Sequence, residues 1–459
     1  MRRGGNTGRS GEADLMRRRL LVLLALFALV AASCSSSGPD SERSIVPVLP
    51  TTTAGETGAE AVDQATDDDT ELSGPEAGAV ADFETPEPAE SLLLVQGEVR
   101  DGEEISLSLE VRSPDGTVVT DLSELSNGQS WQPTWSNDGR WVAFAFLDAD
   151  GEWLLGVSSW DGTQQNVVPL GGRPDYLVFS FDDRRVYALV GSASGFGLIS
   201  VDPFTGQAPE AVTAGRPLFF DQAPSGTLAF KDADGIYVVD PVGEQRSQLL
   251  SPVTEGTFNT PRWASDPVAI FGVVEVEGAE WLSMVPVNGG PALPLAPVSG
   301  PVTIDAVVDE ALVAVIVNGP PGTAPGDALG PGLHVIDLEA SELRLLSGDV
   351  IGAPVISPDG LWVAGSSADA DGRRTVVHRV DGSESVSTPP YVASPALLAI
   401  SIDQFYDQYS MGQSPFAPDS SAIAFTGTIG EQSSVFVQSL DDSEPVYAGA
   451  GDVVWWSPT

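Results

Sequence analysis

From residue 91 onward the chain alternates short apolar runs with turn residues, and the alternation itself repeats. The most legible unit is Trp135-Ser136-Asn137-Asp138-Gly139-Arg140-Trp141-Val142-Ala143-Phe144. It places an apolar strand end, a Pro/Asp/Gly-type turn and a second apolar strand in immediate succession, which is the signature of a hairpin. The stretches 179–188, 356–365 and 416–425 keep the same spacing, and 220–230, 263–271 and 304–315 are weaker copies. Further apolar runs follow each pair, such as Trp153-Leu154-Leu155-Gly156-Val157, Gly235-Ile236-Tyr237-Val238-Val239 and Thr375-Val376-Val377-His378. With a turn and a last strand, each period holds four short strands. A period of roughly 40–45 residues with four strands is a propeller blade rather than a solenoid coil.

Copies start at 135, 179, 220, 263, 304, 356, 416 and 456. The sequence therefore predicts an all-β propeller of eight blades, or seven if the irregular 304 copy is absorbed by its neighbour. Val453-Val454-Trp455-Trp456-Ser457-Pro458-Thr459 is the opening of a repeat, and the region after 91 reads as a blade lacking its first strand. Joining them closes the ring, with the C-terminal strand completing the N-terminal blade. Closure removes the exposed edges that an open array would present.

The W-S-P-D-G-x-x-[VI]-A-F pattern of these copies resembles the WD40-like (PD40) repeat of TolB-type propellers. The likeness spans roughly residues 91–459 and bears on fold more than on function. The resemblance implies either a partner-binding envelope protein or the propeller domain of a peptidase. The small α/β domain that precedes the propeller in TolB has no counterpart here, so TolB's own partners are not carried over.

Two segments precede the propeller. Residues 1–33 read as a signal peptide, with Arg17-Arg18-Arg19 before the apolar run Leu20–Ala32; the true start is placed at Met16. Leu29-Val30-Ala31-Ala32-Ser33-Cys34 resembles a bacterial lipoprotein signal, although Ala31 stands where Leu is usual. Cys34 is the chain's one cysteine, so no disulfide framework competes for it, and it is the expected lipidation site. The alternative is a secreted protein cut near Ser33. Residues 34–90 are Ser, Thr, Pro, Gly and acid, a composition that cannot bury enough apolar surface to offset its ordering entropy, and are expected to be a flexible tether. The implied location is extracytoplasmic, lipid-anchored to the cell membrane.

Charge narrows the partners. Residues 1–33 hold six of the 21 basic and two of the 65 acidic side chains, so the remainder carries a net of −48. Phosphate binding needs a basic footprint, which excludes nucleic acid as a natural partner. Catalysis is poorly provisioned. The two histidines, His334 and His378, are far apart in sequence and each lies within a strand pattern. No metal-ligand spacing of His and Cys occurs. Gly191-Ser192-Ala193-Ser194-Gly195 has Ala where a nucleophile elbow needs Ser. The expectation is a non-enzyme with no cofactor and no metal.

Three copies of Asp-Ala-Asp-Gly, at 148–151, 232–235 and 369–372, read as hairpin turns rather than calcium loops, which need six to eight oxygens. Trp135, Trp141, Trp263, Trp362 and Trp456 occupy repeat positions and are expected between blades. The interval from 356 to 416 is longer than the period. Its excess holds Tyr391, Phe405, Tyr406, Asp407 and Tyr409, the candidate contact residues for a protein or peptide partner in the envelope. The alternatives are an insertion that packs down on the neighbouring blade, with a glycan or small ligand bound at the channel mouth instead, and a degenerate hydrolase-associated propeller. A second excess, 318–332, is Gly/Pro-rich with no recognition chemistry of its own.

Overall fold

The computed structural model describes residues 85–459 except 102–103, 127, 193–194, 217, 233, 240–245, 251–259, 266–267, 277, 308–310, 319–327, 370–371, 395, 399–413, 430–431 and 442–443. Cys34 and the signal and tether segments lie outside the described residues. The strands form eight antiparallel sheets arranged as an eight-bladed propeller. Blade 1 is 93–121 with Val453–Trp456. Blades 2 to 8 are 131–169, 174–215, 219–250, 262–297, 302–347, 350–387 and 422–450. The copy at 304 is a complete blade, Val302–Val307, Leu312–Val317, Gly332–Asp337 and Glu342–Ser347, which removes the seven-bladed alternative. Its turn is irregular but its strands are continuous apolar runs, and burial on both faces is what holds them.

Blade 8 departs from the pattern. Its sheet has three named strands, and its innermost position is represented by the isolated pairing of Phe416 with Ile423.

The repeat motif has a physical explanation in its turn. Ser136 Oγ accepts the backbone N–H of Arg140 (3.1 Å) and of Trp141 (2.9 Å) and donates to Asp138 (2.8 Å). Ser357 makes the equivalent bonds to Trp362 N and Asp359, and Ser180 to Arg185 N and Asp182. The hydroxyl thus satisfies donors that the tight hairpin cannot pair within its own ladder. The fifth residue of the unit needs positive φ, supplied by Gly139 and Gly360 (both 69°) but also by Asp183 (57°) and Ser420 (59°).

Trp135, Trp141, Trp263, Trp362 and Trp456 are all buried, each in an apolar cluster shared between neighbouring blades. Trp141, for example, packs with Leu177, Phe179 and Val186 of blade 3. Each fully buried Leu or Phe in such a cluster contributes about 2 kcal/mol.

The seam rebuilds one repeat turn from two ends of the chain. Val453–Trp456 pairs with Leu93–Gln96 in the register Leu93 to Trp456. Ser457 Oγ accepts Leu92 N at 3.0 Å, as Ser136 Oγ accepts Trp141 N. Ser91 adopts φ of 51° and its N–H reaches the Thr459 carbonyl at 2.8 Å.

Candidate functional site

Antiparallel blades sort their connections onto two faces. Links between first and second, and between third and fourth strands, lie on one, here the turn face. Links between second and third strands, and from blade to blade, lie on the other, the loop face. The longest turn-face connection is 202–209. The three longest connections, 251–261, 318–331 and 388–415, all join strand ends on the loop face, over blades 4 to 8.

The described start of the longest one is a strap across three blades. Tyr391 pairs its backbone with Arg373 of blade 7, and its hydroxyl lies 3.2 Å from Thr375 Oγ1. Its ring packs on Phe425 of blade 8 (5.7 Å between centroids), in the space left by Gly427, where a Cβ would stand 2.6 Å from that of Tyr391. Burial pushes the Tyr391 phenol above its ordinary pKa. Val392 O then accepts Thr428 N at 3.2 Å on the inner edge of blade 8. Ser394 Oγ donates to Asp452 O (3.0 Å), immediately before the ring-closing strand, and Leu397 packs on the cluster shared by blades 1 and 2. Tyr391 therefore braces the ring, with only part of its surface open to solvent. Phe405, Tyr406, Asp407 and Tyr409 lie outside the described residues.

The Asp-Ala-Asp-Gly copies sit at loop-face hairpins. Asp148 Oδ1 accepts Asp150 N (3.0 Å) and Glu152 N (2.8 Å), and Asp232 Oδ1 accepts Asp234 N (2.8 Å) and Gly235 N (3.2 Å). Gly151 supplies φ of 84°. These carboxylates are occupied as turn acceptors.

The inner strands carry polar groups that the repeat reading missed. Trp131 donates its indole N–H to Pro174 O (2.9 Å), and the Arg173 guanidinium lies 4.9 Å from its ring centroid. Asp175 beside them is raised above its ordinary pKa by burial, against the pull of Arg173. Gln132 sits at a bulge with φ of 52°, is 1% exposed, and neither its Nε2 nor its Oε1 finds a partner among the described residues. Trp131 could have been noticed as an aromatic lying outside the repeat spacing. Nothing in the sequence marks Gln132.

Around the ring, buried Arg262 links two acids. Its Nε donates to Ile304 O (2.9 Å), and its Nη2 stands 3.8 Å from Asp305 Oδ1. Asp221 accepts Trp263 N, and Asp305 accepts Ile356 N, each on the next blade. Burial pushes Asp221 up to about 6, with Arg262 pulling the other way. Each group is spent on blade-to-blade contacts. His334 bonds Gly330 O (2.8 Å) on blade 6 and His378 lies on blade 7, and burial holds both below the usual imidazole range.

Neither any protein-family model nor any curated protein sequence matches the chain. Solved structures do. A dihydro-heme d1 dehydrogenase, NirN, in complex with DHE is similar over 82% of this chain and 76% of its own, at 13% identity and a TM-score of 0.53. TolB from Acinetobacter baumannii is similar over 63% of this chain and 78% of its own, at 12% identity and a TM-score of 0.38. Oligogalacturonate lyase from Vibrio parahaemolyticus is similar over 77% of this chain and 100% of its own, at 13% identity and 0.49. At these identities the likeness is one of fold, and it assigns the chain to the propeller proteins as an architectural class.

Proposed function

We propose that this protein is a non-enzymatic, extracytoplasmic propeller, anchored through a lipid on Cys34, whose loop face binds a protein or peptide-like partner of the cell envelope. The observation that supports the reading is the asymmetry of the two faces: every long connection, 251–261, 318–331 and 388–415, joins strand ends on the loop face. Rigid scaffolds place recognition on variable loops in this way. The polar groups inside the ring serve blade contacts, which leaves no evident acid/base pair for chemistry.

Proximity crosslinking in intact source cells tests it. The native chain is compared with a variant in which 399–413 is replaced by a short Gly/Ser link, so that the Tyr391–Ser394 strap survives. A partner captured by the native chain and lost from the variant supports the reading; identical capture by both removes it.

A second reading is a glycan or small polar ligand at the channel end of blades 2 and 3. It is favoured by Trp131, Arg173 and Asp175 beside the strained, unpartnered Gln132. Glycan-array binding lost on Trp131→Ala would support it.

A further inference from the structure

Resting on the lipid-anchor reading above, we infer that the propeller is held with its turn face toward the membrane, so that the loop face meets a partner arriving from the far side. The route of residues 85–92 carries this. Glu87 O accepts the Trp160 indole N–H (2.8 Å), and Ala89 N donates to Gly139 O (3.0 Å). Ala89 is fully buried, and its carbonyl accepts the Thr459 hydroxyl (2.5 Å). Gly139 lies in the turn 136–140 and Trp160 in the turn 160–164, both on the turn face of blade 2. The tether is thus fastened beneath the disc before the first strand begins. It does not leave from the rim or from the loop face.

Between Cys34 and that fastening, the tether spans about 40 Å as a flexible coil, at roughly 5–6 Å times the square root of its length. Inverting the disc would oblige the tether to pass around the rim and across a blade of five- to eight-residue strands, about 20–25 Å thick at roughly 3.3 Å per residue. That path stretches the coil towards twice its relaxed span, and its conformational entropy falls accordingly. Exposed acids occur on both faces, Asp115, Asp161 and Asp381 on one and Asp150 and Asp234 on the other, so repulsion from anionic headgroups lifts the disc without turning it over. The partner this orientation fits is a protein or peptide outside the anchoring bilayer, not one embedded in it.

The test uses the full lipidated chain on phosphatidylcholine vesicles carrying a headgroup-linked acceptor dye. Cys34 is the only cysteine, and lipidation consumes its thiol, so one introduced cysteine is uniquely labelled. Donor dye is placed by Ala340→Cys, exposed on the turn face of blade 6, or by Ala279→Cys, exposed on the loop face of blade 5. Energy transfer about twofold or more higher from position 340 than from 279 is expected. Equal or reversed efficiencies on vesicle-bound protein overturn the orientation while leaving the anchor intact. Protein that fails to float with vesicles, and carries no lipid on Cys34 by mass spectrometry, overturns both.

Discussion

Asp183 grips the turn of the blade before it: its carboxylate accepts Asn137 N (2.7 Å), Asn137 Nδ2 (2.8 Å) and Asp138 N (2.9 Å). It occupies the position held by glycine in the strongest repeats and keeps the left-handed backbone that glycine would adopt freely. Ser420 does the same on a smaller scale, accepting Asp359 N at 3.1 Å. Backbone ease is given up for a bond to the neighbouring blade. Asp183→Gly relaxes the backbone but loses three bonds, so a net loss of about 1–2 kcal/mol is expected. Asp183→Ala keeps the strain, loses the same bonds and should fall further by about 1 kcal/mol. Urea titrations of the three proteins check the order.

Acidification should first stabilise the ring. Burial, with the Asp138 charge adding to it, pushes Asp183 up to about 6, and burial does the same for Asp221. Their carboxyls sit near 3.8 when exposed. The folded state therefore binds more protons between those values, and the contribution is complete below pH 3.8 and lost as pH rises through 6. Asp115, Asp161, Asp381 and Asp419 are lowered by turn hydrogen bonds and act oppositely below pH 4. Stability measured by urea midpoint should rise from pH 7 to about 5 and then fall. The rise should flatten in a chain carrying Asp183→Asn and Asp221→Asn; an unchanged slope contradicts this assignment.

Tyr391 should behave as a structural residue. Tyr391→Ala removes the packing on Phe425 and Gly427 and should cost about 2–3 kcal/mol. Tyr391→Phe, which loses only the Thr375 contact, should cost about 1 kcal/mol or less. A Tyr391→Ala chain that keeps its melting temperature would show that the strap bears no load.

Calcium should leave the protein unmoved. The Asp148 and Asp232 carboxylates are engaged by backbone N–H groups, and millimolar calcium is expected to shift the melting temperature by less than about 1 °C. A saturable upward shift abolished by Asp148→Ala would assign these turns to metal.

The architecture was legible because the turn chemistry is local. Ser136, Asp138 and Gly139 act on residues within five positions of themselves, so they recur as a readable motif. Where that chemistry fades, alignment slips. The hairpin at 223–227 closes through Ala223 N to Thr227 O and Gly226 N to Ala223 O, so Gln222 stands where Trp135 stands, two residues later than the sequence copy starting at Phe220 suggests. Ala223 has replaced the serine that would have marked the turn. The insertion was visible only as a break in period. That Tyr391 turns inward depends on the glycine at 427, and that Ser394 reaches Asp452 depends on ring closure; neither relation has any local signature.

The seam has a kinetic meaning as well. Leu92 and Ser457, whose bond completes the split turn, are 365 positions apart, whereas blades 2 to 7 close from strands adjacent in sequence. Contacts so remote in the chain come late, because their loop-closure entropy is met only after nearer pairings have shortened the path. The ring should therefore collect its blades first and lock last, passing through an open, edge-exposed arc. A slow final refolding phase reported by Trp455 and Trp456, and lengthened by Ser457→Ala, would be the trace of that lock.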